Sequence, residues 1–352
     1  MVNLFVPKET GTGETRVAVT PESAKAFIKG GMTVSVERGA GESAFMPDSE
    51  YTAAGAAIVD RASGFAAADI VAAVGAPPAA DVARMRAGSI LIAMRATASP
   101  NITTFSMERI PRTTKAQTMD ALSSQASIAG YRAALIAATE LPRYFPLLMT
   151  AAGTIKPAKV VVMGAGVAGL QALATARRLG AVVEVSDIRP AVKEQVHSLG
   201  GRFIDLPMQE SGEGAGGYAK EVSADFLRQQ REIVTRHIAA ADVVITTAQV
   251  PGKKAPVLVT REMVEGMRPG SIIIDLAVDS GGNCELSKPG ETSHNGVRIL
   301  GVSNLAATMS HDASLLYARN IQALVFEFVE KGELKLNMDN EIIRETVVKG
   351  NA

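Results

Sequence analysis

Apolar and polar positions along the chain follow two alternating patterns. Short apolar segments typical of buried strands are followed by stretches with helical periodicity. In the first half, the predicted strands are NLFVPKET, MTVSVERG, ADIVAAV and GSILIAM, and the predicted helices are TPESAKAFIKGG and DSEYTAAGAAI. In the first helix, Thr20 and Pro21 favour a helix start and Gly30 a helix end. Strands that alternate with helices predict a parallel sheet covered on both faces.

A long helical stretch over 123–149, interrupted near Pro142 and Pro146, is predicted to lead into a second domain. Further strands are predicted in KVVVMG, AVVEVSD, ADVVITTA, SIIIDLA and VRILGV. The apolar helix SHDASLLYARNIQALVFEFVE follows and is predicted to return to the first domain. We therefore expect an α/β protein in which 1–125 and 308–352 form one domain and 126–307 an inserted one.

Length and composition agree with two folded domains. The chain has 352 residues, 47% of them hydrophobic and 20% charged, which is typical of a folded chain rather than a disordered one. Lysine plus arginine equals aspartate plus glutamate at 36 each, a balance that argues against nucleic-acid binding. The single cysteine, Cys284, excludes an intramolecular disulfide and fits a reducing compartment.

The amino-terminal segment does not have the pattern of a secretory signal. The longest uncharged apolar run, 160–176, has 17 residues with three glycines and a glutamine, and is shorter than a membrane span. We therefore expect a soluble protein.

The same run carries the strongest chemical signal. Gly164, Gly166 and Gly169 have the spacing G-x-G-x-x-G, after a predicted strand and at the start of a helix. This context predicts a dinucleotide site in which Gly164 allows a tight turn and Gly166 lets the backbone approach a pyrophosphate. Gly169 would permit close packing of the helix, whose first amides hold the phosphates. The second domain is accordingly predicted to be a Rossmann domain and the first Rossmann-like.

Asp187 ends the next strand, 18 residues after Gly169. Its carboxylate is suited to the adenosine ribose hydroxyls, whereas a 2′-phosphate about 4 Å away would be repelled by roughly 4 kcal/mol at an effective dielectric of 20. This favours NAD(H) over NADP(H). Arg189 leaves an alternative open because it could serve a 2′-phosphate, although we expect a solvated surface residue. Gln249, in TTAQVPGKKAP, is either an edge of the adenosine site or a plain surface glutamine.

Most dehydrogenases need a proton acceptor with a pKa near neutrality. His197, His237, His294 and His311 each fit a structural or solvated role better, and no metal-ligand spacing stands out. A reaction between two nicotinamides needs no such group, because only a hydride moves. The polar segment 111–125 presents Arg112, Gln117, Asp120 and Ser123, which can position rings without titrating. The alternative is that this segment is a simple interdomain connection.

At these residues the chain resembles the soluble NAD(H)-binding component, domain I of the alpha subunit, of proton-translocating nicotinamide nucleotide transhydrogenases. The resemblance runs from VPKETGTGETRVAVTPES through SSQASIAGYRA, GVAGLQALATARRLGA, KEQVHSLGG and TTAQVPGKKAPVLVT to IIIDLAVDSGGNCELSKPG. It implies direct hydride transfer between NAD(H) on this chain and NADP(H) on a partner component.

The resemblance also implies roles for single residues. Arg112 and Asp120 would hold the segment and the nicotinamide ribose region together, Gln117 would reach toward the partner's NADP(H), and Ser123 would contact the nicotinamide side. A glycine-rich loop, GEGAGGYAKEV, would close over NAD(H) with Gly217 and Tyr218. Other implied cofactor-lining residues are Arg112, Thr113, Thr114, Val167, Ile188, Arg189 and Gln230.

For partners, the resemblance implies a homodimer that works with an NADP(H)-binding component and a membrane component that conducts protons. The chain would then be cytoplasmic and peripheral to the inner membrane, and proton coupling could not reside in this chain alone.

Two other functions stay open. Alanine dehydrogenases are similar in fold and use a lysine and a histidine in the first domain, but the corresponding stretches DIVAAVGAPP and ILIAMRATASP contain neither. Arg95 could still bind a carboxylate, and Asp279 matches both families. The second alternative is a non-catalytic NAD(H) sensor that docks on a partner.

Overall fold

The computed structural model describes residues 1–207, 224–249 and 253–348, with only the backbone for 224–227. The chain divides into two compact units: residues 1–126 with 306–352, and residues 127–305. Each unit contains a sheet that is wholly or mainly parallel, with helices between its strands, so the predicted α/β, Rossmann-like class is confirmed.

The first unit is built on a six-stranded parallel sheet in the order β3-β2-β1-β4-β5-β6. Its strands are β1 (Asn3–Val6), β2 (Thr33–Glu37), β3 (Ala57–Val59), β4 (Ile70–Ala72), β5 (Ile90–Ala93) and β6 (Thr103–Ser106). The helices between them are α1 (Pro21–Lys29), α2 (Asp48–Ala53), α3 (Arg61–Ala67) and α4 (Ala79–Val82). Thr20 and Ser23 form a reciprocal capping box at α1, as Thr20 and Pro21 predicted.

The structure corrects two boundaries. The stretch 48–58 was predicted as one helix, but α2 ends at Ala53 and the chain turns at Gly55, φ +95°, into the edge strand β3. The helix predicted over 123–149 is α5 (Ala121–Glu140), followed by the antiparallel pair β7 (Leu148–Thr150) and β8 (Gly153–Ile155). Pro142 explains the earlier end, because the ring removes an amide donor and disfavours helical backbone before it.

The second unit contains a seven-stranded sheet in the order β11-β10-β9-β12-β13-β15-β14, in which β14 alone runs antiparallel to its neighbour. Its strands are β9 (Lys159–Met163), β10 (Val182–Ser186), β11 (Arg202–Phe203), β12 (Val243–Thr246), β13 (Ile272–Asp275), β14 (Gly290–His294) and β15 (Val297–Gly301). Its further helices are α6 (Val167–Arg178), α7 (Lys193–Ser198), α8 (Ala224–Ala239) and α9 (Arg261–Glu265). The central strands are runs of buried valine and isoleucine, as expected for strands covered on both faces.

The chain then returns to the first unit. The returning elements are α10 (Ser310–Val325), β16 (Val329–Glu330), β17 (Glu333–Leu334) and α11 (Glu341–Thr346). The buried face of α10 includes Tyr317, Ile321 and Leu324, which join the core of the first sheet. Among the described residues, no helix is long and apolar enough to cross a membrane.

Candidate functional site

The turn between β9 and α6 has the backbone that the glycine spacing predicts. Gly164 has a φ of +107°, a conformation that side chains with a Cβ rarely adopt. Its N–H donates to the carbonyl oxygen of Ser186 at 2.8 Å and so ties the turn to the end of β10. A Cβ on Gly164 would also lie 2.8 Å from Oγ1 of Thr247. Both constraints require glycine at this position.

Gly166 and Gly169 differ in their surroundings. Gly166 is the N-cap of α6, and a Cβ there would meet no described atom within 4 Å. A Cβ on Gly169 would lie 1.8 Å from the carbonyl oxygen of Gly164. The open position gives a ligand access to the first amides of α6, where N–H groups and the helix dipole attract phosphate. The crowded position, Gly169, lets α6 pack against the turn. An open Gly166 together with a closely packed Gly169 is the arrangement expected for binding a dinucleotide pyrophosphate.

Asp187 follows β10, and its side chain is only 7% exposed. Its carboxylate accepts hydrogen bonds from the amide of Ala165 at 2.7 Å and the amide of Arg189 at 2.8 Å. The Arg189 guanidinium adds two more, at 3.0 and 2.9 Å. Burial alone would raise the pKa of Asp187, but the Arg189 and Ala165 hydrogen bonds outweigh burial and hold the pKa below its ordinary value. Asp187 is therefore ionised at neutral pH.

Arg189 lies at the surface, as expected, and it also contacts Asp187. The side chain is 57% exposed, yet it forms a bidentate ion pair with Asp187. A carboxylate offers about four lone-pair positions, and four donors already use them. A ribose hydroxyl can bind the Asp187 carboxylate only by replacing a donor, and the exposed Arg189 guanidinium is the one free to swing away.

Two apolar side chains near this turn are exposed. Ile188 is 84% exposed beside Asp187, and Val167, the first residue of α6, is 44% exposed. The predicted Ile188 and Val167 contacts with the cofactor thus have side chains open to it.

The remaining predicted cofactor residues of the second unit are less clearly placed. Gln249 is exposed, and its amide nitrogen donates to the carbonyl oxygen of Leu276. Gln230 is half-buried and donates to the carbonyl oxygen of Pro207 at 3.2 Å. Gly217 and Tyr218 lie outside the described residues.

Sequence reasoning missed a buried polar pair that shapes the loop after β12. Asp275 and Asn283 have no exposed surface. The Asp275 carboxylate accepts from the amides of Ala277 (2.9 Å), Asn283 (2.9 Å) and Cys284 (3.0 Å). The Asn283 side chain binds both the N–H and the carbonyl oxygen of Ala248. An aspartate at the end of a buried strand, shortly before Gly-Gly-Asn, was the available signal.

In the first unit, the polar segment 111–125 presents several predicted residues to solvent. The exposed ones are Arg112, Thr113, Thr114 and Gln117. A single 3-10 turn, Gln117–Met119, is anchored by the buried side chains of Ala116 and Met119. Buried apolar side chains therefore support the segment, and its polar side chains are exposed.

Asp120 and Ser123 lie together at the start of α5. One carboxylate oxygen of Asp120 accepts from the Ser123 amide at 2.9 Å, and the other accepts from the Ser123 hydroxyl at 2.6 Å. This is the contact of a helix-capping aspartate, a structural role that the sequence reasoning did not include. In the described part of the chain, Arg112 forms no ion pair with Asp120.

A second cluster lies at the carboxyl ends of β1 and β4. The Glu9 carboxylate accepts from the amides of Val74 at 2.6 Å and Gly75 at 3.1 Å. Burial raises the pKa of Glu9 to about 7, against the two amide hydrogen bonds, which lower it. Nearby, Arg95 is exposed and pairs with Glu108 at 3.3 Å.

The shifted pKa of Glu9 predicts a pH dependence of stability. Because the folded pKa of about 7 exceeds the ordinary 4.5, the folded state binds more protons between these values. The free energy of unfolding should therefore fall as pH rises from about 4.5 to 7. Urea titrations at pH 5 and pH 8 should show a smaller fall for Glu9→Gln than for the wild type. The exposed Glu22→Gln control should follow the wild type, and an equal fall in Glu9→Gln would contradict the assignment.

Three of the four histidines contact a carboxylate, which the sequence did not indicate. Nδ1 of His237 lies 2.6 Å from Glu184, and Nε2 of His294 lies 3.0 Å from Glu265. His311 is exposed and contacts its neighbour Asp312 at 3.1 Å. These contacts fit structural or solvated roles.

Comparisons with known proteins match nearly the whole chain. The family models described as Alanine dehydrogenase/PNT, N-terminal domain and C-terminal domain match residues 5–129 and 133–351. The chain is 45% identical over 368 residues to an NAD(P) transhydrogenase subunit alpha (its first part) of Rhodospirillum rubrum, covering 99% of this chain and 96% of that protein.

Two solved structures are similar. The transhydrogenase from Sinorhizobium meliloti superposes with a TM-score of 0.89 at 46% identity, over 98% of this chain and 97% of that one. An L-alanine dehydrogenase superposes with a TM-score of 0.82 at 24% identity, over 98% and 94%. The second similarity shows the fold alone.

Proposed function

The chain belongs to the alanine dehydrogenase/PNT family, and from this membership we propose that it is the NAD(H)-binding alpha-subunit component of a transhydrogenase. This oxidoreductase exchanges a hydride between NAD(H) on this chain and NADP(H) on a partner component. The observation that carries the proposal is the glycine turn, in which the Gly166 position at the start of α6 is open and Asp187 lies at the end of β10.

Different residues of the second unit would bind different parts of NAD(H). The turn at Gly164 and Gly166 would hold the pyrophosphate, and the ionised Asp187 would accept hydrogen bonds from the ribose hydroxyls. Bound NAD(H) supplies the hydride carrier. The negative charge of Asp187 also disfavours a 2′-phosphate, which supports NAD(H) over NADP(H) as the nucleotide of this chain.

The polar segment of the first unit supports transfer without acid–base chemistry. Of its predicted residues, Arg112 and Gln117 are exposed, and their guanidinium and amide groups can donate hydrogen bonds to a ligand. The Asp120 carboxylate is engaged by Ser123. We assign these four residues the positioning of the nicotinamide groups, with Gln117 directed to the second nucleotide.

The partners and location follow from the same family. The chain would act as a homodimer, together with an NADP(H)-binding component and a membrane component that conducts protons. Its site would be cytoplasmic, at the surface of the inner membrane, and proton translocation would depend on the membrane component.

Alanine dehydrogenation is the second candidate, because the fold is shared. Its lysine and histidine are absent from the corresponding stretches. In the stretch DIVAAVGAPP, the amides of Val74 and Gly75 bind the Glu9 carboxylate. In the stretch ILIAMRATASP, Arg95 pairs with Glu108. Robust NADH formation from L-alanine and NAD⁺ would favour this candidate over transhydrogenation.

The direct test mixes the chain with the NADP(H)-binding component and follows reduction of an NADP⁺ analogue by NADH. We expect exchange that requires both components. Tight NADH binding without any exchange would instead support the non-catalytic NAD(H) sensor.

Replacing Asp187 tests the ribose assignment. Asp187→Ala should weaken NADH binding about 10-fold, because hydrogen bonds to a charged acceptor contribute roughly 1.5–3 kcal/mol and displacement of Arg189 offsets part of this. Isothermal titration with NADH measures the change. Asp205→Ala, which removes an exposed carboxylate of the same unit, should bind NADH normally. Unchanged affinity in Asp187→Ala would exclude the ribose role.

A further inference from the structure

The polar segment is held from the side by one buried amide. Asn320 lies on α10 and is 7% exposed. Its nitrogen donates to the carbonyl oxygen of Thr118 at 2.7 Å, and its oxygen accepts from the Ser124 hydroxyl at 2.7 Å. Thr118 belongs to the 3-10 turn that begins at Gln117, and Ser124 belongs to the first turn of α5. One side chain thus connects the 3-10 turn that begins at Gln117 with the first turn of α5, which contains Ser123.

The other long-range polar contacts of this region act at different points. Lys115 pairs with Glu327 at 3.1 Å, but its side chain is 68% exposed, so this contact is screened by salt. Gln125 donates to the carbonyl oxygen of Ala313, which holds the start of α5 on α10 but not the 3-10 turn. Among the side-chain hydrogen bonds of the described residues, the one that ends on the 3-10 turn comes from Asn320.

The chemistry of an amide suits this connection. Asparagine offers a donor and an acceptor on one short side chain, and here each is matched to a group of opposite kind. Because the contact to Thr118 is made to the main chain, it sets the path of the backbone beside Gln117 whatever side chain residue 118 carries. The same amide holds Ser124, next to Ser123, in register with that turn.

We propose that Asn320 is a positioning residue for hydride transfer, which fixes the 3-10 turn bearing Gln117 relative to the Asp120–Ser123 cap. This inference rests on the proposed function. Asn320 acts through Thr118 and Ser124 and not by contact with either nucleotide.

The sharpest variant is Asn320→Asp, which keeps the size and the acceptor for Ser124 but turns the donor toward Thr118 into an oxygen. The carboxylate would repel the Thr118 carbonyl. We expect hydride transfer to the NADP⁺ analogue to slow by about 10- to 100-fold, as for a small misplacement of reacting groups, with the Kd of NADH within about 2-fold of wild type. The loss should shrink as pH falls, because the protonated carboxyl regains a donor for Thr118.

Two further variants and a control separate positioning from loss of folding. Ser124→Ala removes only the second contact and should slow transfer less than Asn320→Asp. Asn320→Gln keeps the amide on a longer chain and should retain more activity than Asn320→Asp at neutral pH. Arg319→Gln, the exposed neighbour on α10 that contacts Glu22, should transfer hydride like the wild type.

The outcomes distinguish the two proposals. If the unsubstituted chain exchanges hydride and Asn320→Asp, folded, does so equally fast at every pH, the positioning role is overturned. The positioning role is also overturned if Asn320→Asp loses NADH affinity to the same extent as it loses transfer. If Asn320→Asp does not fold, Ser124→Ala decides, and unchanged transfer in that variant overturns the role. If the unsubstituted chain itself exchanges no hydride, the proposed function falls and this inference with it.

Discussion

Gly169→Ala is expected to abolish measurable NADH binding and to destabilise the second unit. The added Cβ would lie 1.8 Å from the carbonyl oxygen of Gly164, a main-chain atom that cannot rotate away. Either α6 or the turn must move, and overpacking of this kind costs typically about 1–3 kcal/mol. Urea unfolding measures the loss of stability, and isothermal titration measures the loss of NADH affinity.

Gly166→Ala separates these two effects. Its Cβ would meet no described atom within 4 Å, so the protein should unfold like the wild type while NADH binding is weakened. Gly266→Ala, at the end of α9, adds a Cβ whose nearest neighbour is 3.5 Å away and should change neither property. Normal NADH binding by Gly166→Ala would show that the pyrophosphate does not approach this backbone.

Gln117→Leu is expected to slow hydride transfer by about 10- to 100-fold and to leave the Kd of NADH nearly unchanged. Gln117 is exposed, so leucine should not disturb the core. The variant removes a polar contact that acts when both nucleotides are present, and orientation of reacting groups governs rates strongly. Stopped-flow measurement of NADP⁺-analogue reduction, with NADH affinity from titration, gives both quantities.

Thr118→Val is the matched control for Gln117→Leu. Thr118 is exposed in the same 3-10 turn, and its main-chain carbonyl, which binds Asn320, is kept. We expect wild-type transfer from Thr118→Val. If Gln117→Leu loses NADH binding and transfer to the same extent, Gln117 belongs to the NAD(H) site and does not reach a second nucleotide.

The glycine turn between β9 and α6 was predictable because its signals are local. Gly164, Gly166 and Gly169 lie within six positions, and the valine-rich strand before them and the helix after them are adjacent in sequence. The position of Asp187 at the end of β10 followed from the same βαβ pattern. The ion pair between Asp187 and Arg189 did not follow from this pattern, because whether an arginine side chain faces solvent or a neighbouring carboxylate depends on side-chain geometry.

Element boundaries in weakly patterned stretches were less predictable. The alanine-rich stretch 48–58 suits a helix by composition, but Ala57 and Ile58 pair with Ser35 and Val36 as an edge strand. The short strand β6 and the hairpin β7–β8 likewise carry no clear alternation. In such segments pairing with a neighbouring strand outweighs local propensity.

The α/β class, the glycine turn after β9 and the polar character of segment 111–125 could be predicted from local patterns, because each depends on neighbours a few positions apart. The contacts that hold buried polar side chains in place became visible in the folded chain. Asn320 meets Thr118 across 202 positions, Glu9 meets Val74 across 65, and Asn283 meets Ala248 across 35. No local pattern encodes these contacts, since a buried amide or carboxylate takes whatever donors and acceptors the packed chain brings to it.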